Sequence, residues 1–97
     1  DSPWVRINLD TGNYIEPNPY AGMEASLPFA PHVVAKIRRL GPDGEERELD
    51  YGKIFAMLRR QAYHGFVTVE YEGQADELAA VPKAVAMLRR YGRRYGL

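Results

Sequence analysis

The sequence contains no cysteine, which excludes disulfides and thiolate metal sites and agrees with a reducing, cytoplasmic setting. It has no net charge: 13 basic residues balance 13 acidic ones, so there is no global field to hold a phosphate backbone or an anionic membrane surface. Nucleic acid and membrane are therefore not expected partners. No apolar run approaches the roughly 20 residues that span a bilayer. The DSPW start has neither a basic nor a hydrophobic leader segment, and Asp1 in place of methionine reads as a processing, cloning or proteolytic boundary. What the chain does have is 45% apolar content in 97 residues, enough for one domain with a modest core.

That content is arranged as one unit repeated three times. Residues 4–10, WVRINLD, alternate between apolar and polar and are bounded by Pro3 and Gly12. Asn18 then caps a short helix with Pro19 at its first position, running to about Leu27. HVVAKI, 32–37, is a compact β-branched strand after Pro31, and a polar loop with an Asp43-Gly44 turn leads to Asp50, which caps a helix over 51–63. Ile54, Met57, Leu58 and Gln61 form its inward stripe. Gly65 supplies a left-handed turn that releases a third strand, 66–73. A final helix follows, with Pro82 at its start or Asp76 as an earlier beginning, and with Val81, Val85 and Leu88 on one face.

Strands separated by helices pair in parallel through crossovers, so the chain is expected to be α/β with three consecutive βα units. Strands covered on both faces read as nearly continuous apolar runs, and polar residues within them need a reason. With a period of two, Asn8 and Asp10 share a face, as do His32, Val34 and Lys36, and Thr68 and Glu70. Asp10, Lys36 and Glu70 fall near the C-terminal ends of their strands, the edge where parallel sheets and barrels bind ligands. Arg38 shares the parity of Lys36. Asp10, followed by Thr-Gly-Asn, has two readings, a carboxylate that closes a turn and a carboxylate in a site. His64 and the arginine pairs are read as solvated.

LDTGN, then HVVAK, then DGEERELDYGKIFAMLRRQAYHGFVTVEYEG, resembles the C-terminal part of the sugar phosphate isomerase/epimerase proteins, which are xylose isomerase-like TIM barrels. The resemblance covers nearly the whole chain. It implies that residues 1–97 are a single C-terminal segment carrying strands six to eight of a (β/α)8 barrel, the N-terminal strands lying outside this chain. It also implies a divalent metal (manganese, magnesium or cobalt, with zinc as a further candidate), with Asp10, Glu70 and His32 as ligands and a first glutamate from a preceding strand. Glu70 would double as the acid or base at a sugar carbon, Lys36 would act in catalysis and substrate binding, and Asn13 and Arg38 would contact substrate. The chain departs from the family pattern at Val34, where relatives often place histidine two residues before the lysine. His32 lies roughly 6.6 Å deeper along the same face, which leaves either a metal held by fewer protein ligands or no metal.

Three units of about 32 residues are three-eighths of a barrel of about 250 residues. The expected function is thus part of a metal-dependent sugar or sugar phosphate isomerase or epimerase, the alternative being a non-catalytic sugar-binding or protein-interaction module. The chain alone is expected to be inactive, and its open strand edges to be met by the missing N-terminal part of the barrel or by self-association.

Overall fold

Alternation of short β-branched runs with amphipathic segments gives three strands and three helices in the computed structural model, which describes residues 5–97. The strands are β1 (Asn8–Asp10), β2 (His32–Ile37) and β3 (Phe66–Tyr71), and the helices are α1 (Pro19–Ser26), α2 (Tyr51–Arg60) and α3 (Glu77–Arg94). They form one sheet in the order β1-β2-β3, parallel throughout, so the expected α/β arrangement of three βα units is the observed one. β1 is shorter than the alternating run suggested: Val5, Arg6 and Ile7 precede the strand, and Trp4 lies outside the described residues. A 3-10 turn, Thr11–Asn13, follows β1, and a second, Leu27–Phe29, extends α1.

Register sets which residues share a face. Asn8 pairs with His32, Asp10 with Val34, Val34 with Thr68 and Lys36 with Glu70. The opposite face carries Leu9, Val33, Ala35 and Ile37, which pack with Met23, Tyr51, Ile54, Phe55, Met57, Leu58, Ala84 and Met87 into one core cluster. Fully burying each valine, leucine, isoleucine or methionine side chain among them contributes about 1.5–3 kcal/mol. The helices thus cover one side of the sheet. The side bearing Asp10, Lys36 and Glu70 has none of that cover, and Phe66 on it is 79% exposed.

Helix starts follow the capping chemistry. The Asp50 carboxylate accepts from the backbone N–H of Lys53 at 3.2 Å, and the Asp76 carboxylate from Leu78 at 3.2 Å. Asn18 occupies the corresponding place before α1 without a side-chain capping bond. α3 begins from Asp76, which puts Pro82 inside the helix instead of at its start. Its buried stripe is Ala80, Ala84 and Met87, one residue from the expected Val81, Val85 and Leu88, which flank it half-buried.

The expected left-handed glycine at 65 is replaced by a different device. Ala62, at φ 50°, takes the left-handed conformation after α2. Gly65 is needed for space, because a Cβ there would overlap the Pro31 carbonyl oxygen and the Tyr63 ring. Gly65→Ala is expected to lower stability by about 1–3 kcal/mol through this overpacking. A urea midpoint equal to that of the parent protein would show that the loop relaxes freely.

Polar contacts tie the outer layer together. Arg60 on α2 forms a forked pair with Glu24 on α1, with N–O distances of 2.9 and 3.0 Å. Glu45, in the loop after β2, accepts from Arg90 at 2.7 Å and from the Tyr91 hydroxyl at 2.6 Å. That hydrogen bond, with burial adding to it, pushes the Tyr91 phenol up to about 12.

Candidate functional site

β1, β2 and β3 end side by side, and their last inward-facing residues meet. The ammonium of Lys36 lies 3.1 Å from Asp10 Oδ2, 3.1 Å from Glu70 Oε1 and 3.0 Å from Glu72 Oε2. Three carboxylates thus match the three protons that a lysine ammonium can donate. Lys36 is 5% exposed, whereas Glu70 and Glu72 are close to half exposed at the mouth. Burial by itself would lower the Lys36 ammonium, but its hydrogen bonds to Glu72, Asp10 and Glu70 outweigh that and hold it above the ordinary lysine value. The same contact with Lys36 holds the Glu72 carboxyl below its usual range.

Asp10 uses its two oxygens differently. Its Oδ1 accepts from the backbone N–H of Gly12 at 2.8 Å and closes the turn after β1, while its Oδ2 pairs with Lys36. The turn places Gly12 against the lysine stem: a Cβ at Gly12 would meet Lys36 Cγ at 2.6 Å and Cβ at 2.9 Å. Only glycine permits this approach.

The backbone of Lys36 is held on both sides. Its N–H donates to Thr11 Oγ1 at 2.9 Å, and its carbonyl accepts from the Tyr51 hydroxyl at 2.7 Å. Thr11 and Tyr51 lie 2.9 Å apart through their oxygens; because Tyr51 gives its proton to Lys36, Thr11 donates to Tyr51. Thr11 is fully buried and Tyr51 nearly so. Burial of Tyr51 raises its phenol well above the ordinary value, so the hydroxyl stays protonated and remains a donor.

Beyond β2 the chain is shaped by Glu46, a buried acid. Its Oε1 accepts from the backbone N–H groups of Arg38 and Arg39 at 3.0 and 2.9 Å, and its Oε2 from Glu48 at 2.9 Å. This aims Arg38 back over the mouth, where its guanidinium reaches Glu72 at 3.6 Å, Glu48 at 3.8 Å and the Gly12 carbonyl at 3.5 Å.

Asp10, Lys36, Glu70 and Arg38 are therefore brought together, and Asn13 sits exposed at the end of the Thr11–Asn13 turn. His32 is not part of the group. It lies at the start of β2, opposite Asn8 and Phe66, and its Nε2 is 2.9 Å from Thr68 Oγ1. Val34 occupies the face between His32 and Lys36. Among the described residues, no grouping of three or more histidine, aspartate or glutamate side chains is placed to hold a metal. Asp10 Oδ2 and Glu70 Oε1 both contact Lys36, and Asp10 Oδ1 accepts from Gly12 N–H.

Thr11, Tyr51, Glu46 and Glu72 were not singled out by the sequence. Glu72 had a signal, because it continues the parity of Glu70 one step past β3, where its N–H still bonds the Ile37 carbonyl at 2.8 Å. The other three act through contacts that appear only when α2 and the loop after β2 are folded over the strand. No helix among the described residues is long and apolar enough to cross a membrane.

The chain is 29% identical over 97 residues to the Mus musculus protein named "Putative hydroxypyruvate isomerase", an alignment covering 97% of this chain and 34% of that protein. It thus spans about a third of the length of the curated relative it matches. Residues 1–91 match the xylose isomerase-like TIM barrel family. Parallel strands whose charged residues meet at their C-terminal ends, an uncovered inner sheet face and helices on the outside are what three consecutive units of such a barrel require. The chain belongs to the xylose isomerase-like TIM barrel family.

Proposed function

We propose that this chain supplies the last three βα units, strands six to eight, of a cytoplasmic barrel enzyme that isomerises or epimerises a small hydroxy-carbonyl compound of the sugar or sugar phosphate class. The observation that carries this reading is the buried Lys36 ammonium held against Glu70 and Asp10 at the strand mouth. Such isomerisation needs a base for the proton on the carbon beside a carbonyl, and a positive group for the oxygen that gains charge when the proton leaves. Glu70, half exposed and hydrogen-bonded to Lys36, is the base.

The pairing gives the two residues a linked sequence of action. Before reaction all three ammonium protons are engaged by carboxylates. As Glu70 takes the substrate proton it loses its negative charge and its hold on Lys36. One ammonium proton is then free to turn to the oxygen on which charge develops, so an enediolate forms against a donor already in place. In isomerisation Glu70 returns the proton to the neighbouring carbon on the same face, while Lys36 gives an ammonium proton to the former carbonyl oxygen and takes up the proton of the adjacent hydroxyl, which becomes the new carbonyl; epimerisation instead requires a second acid on the opposite face, supplied from the rest of the barrel. Arg38 and Asn13, at the rim, bind the remaining hydroxyl or anionic groups of the substrate. Resemblance to the mouse protein supports the same reaction class.

The test is solvent exchange. The complete protein containing this chain is incubated in deuterium oxide with a panel of ketoses, aldoses, their phosphates and short hydroxy-carbonyl acids, and deuterium at the carbon beside the carbonyl is followed by NMR. Incorporation above the uncatalysed rate supports the reading; none with any member of the panel refutes it and leaves a binding module.

A further inference from the structure

Within that barrel site, and resting on the proposed reading of it, we infer that Lys36 is the resident cation of this site and takes the place of a divalent metal. Asp10, Glu70 and Glu72 each place one oxygen on its ammonium at 3.0–3.1 Å. A dication ligated by Asp10 and Glu70 would have to share Asp10 Oδ2 with the ammonium and sit beside it on Glu70, and like charges at such separations repel strongly.

Lys36 is also unable to step aside. Gly12 lies against its Cβ and Cγ so closely that a methyl group would not fit between them. Thr11 and Tyr51 fix its backbone N–H and carbonyl. The ammonium is thus placed by the fold, as a metal would be placed by its ligands.

The remaining donors point the same way. Asp10 Oδ1 is committed to Gly12 N–H, and the imidazole of His32, the only one on this face among the described residues, is bonded to Thr68 at the far end of the strand. Between His32 and Lys36 the face carries Val34, whose side chain offers no lone pair. An oxygen-preferring ion needs several unencumbered donors in a defined shell. A lysine requires only the acceptors it already has.

The experiment measures manganese binding in the complete protein, so its outcome does not pass through turnover. Wild type purified without chelator is expected to contain well under one equivalent of metal by mass spectrometry and, after dialysis against EDTA, to keep the same melting temperature when manganese chloride is added. Lys36→Met, which exposes three carboxylates to one another, is expected to bind manganese at least about tenfold more tightly than wild type, the sign opposite to that of a residue that orients metal ligands. One equivalent of tightly held metal in wild type, with a fall in melting temperature when EDTA removes it, overturns the inference. So does weaker manganese binding by Lys36→Met. Should that variant fail to fold, the wild-type metal content and manganese titration decide alone. A missing isomerase activity would remove the proposed reaction and leave these binding results intact.

Discussion

Glu70→Gln is expected to reduce kcat of the complete protein by about 10²- to 10⁴-fold, the usual contribution of a positioned general base. The amide keeps the size of the side chain and leaves an oxygen for Lys36, so the mouth of the sheet should keep its shape. It cannot accept the substrate proton. Because Glu70 is half exposed and Lys36 retains Asp10 and Glu72, melting temperature should change little. The split between rate and stability is the informative part. Retained deuterium exchange in Glu70→Gln would move the base elsewhere, with Glu72, one step beyond β3 on the same parity, as the next carboxylate to replace. Loss of folding with loss of rate would mark Glu70 as a structural counter-ion of Lys36.

How much of this was legible before folding depends on the range of the interactions. The three βα units could be read because period-two runs, Asp50 and Asp76 as caps, and the Asp43-Gly44 turn act within a few residues. The meeting of Asp10, Lys36 and Glu70 could be read because parity and position in parallel strands fix both face and height. Beyond that, local rules ran out. Gly65 was the default choice for a left-handed turn, yet Ala62 adopts that conformation, and only the Pro31 carbonyl beside Gly65 explains the glycine. Pro82 looked like a helix start because proline favours the first turn, but α3 accommodates it in its second turn while Asp76 caps the true beginning. Glu46 was one acid among several in a polar loop. What distinguishes it is three backbone N–H groups converging on it, and the loop has to close before they do. The strand-end position of Lys36 was legible, whereas its engagement by three carboxylates required Glu72 to follow β3 at the register the sheet imposes.

The second large effect should come from Tyr51, which joins the core to the site. Its ring is buried at the start of α2 within the main cluster, so Tyr51→Ala is expected to lower stability by about 3–5 kcal/mol, the range for deleting a buried aromatic ring. Tyr51→Phe isolates the hydroxyl. It keeps the ring, removes the donor to the Lys36 carbonyl and leaves Thr11 without its acceptor, for an expected cost of about 1–3 kcal/mol. The hydroxyl also predicts a pH dependence whose sign follows from burial. The folded-state phenol is raised above its unfolded value, first because burial penalises the phenolate. Its contribution is therefore fully present below the unfolded tyrosine value of about 10 and is lost progressively as pH rises past it. Urea unfolding from pH 7 upward should show wild type losing stability more steeply than Tyr51→Phe once pH exceeds about 10. Parallel curves for the two proteins would mean that the Tyr51 proton is not held by the fold, and the network from Thr11 through Tyr51 to Lys36 would then not be what positions the ammonium.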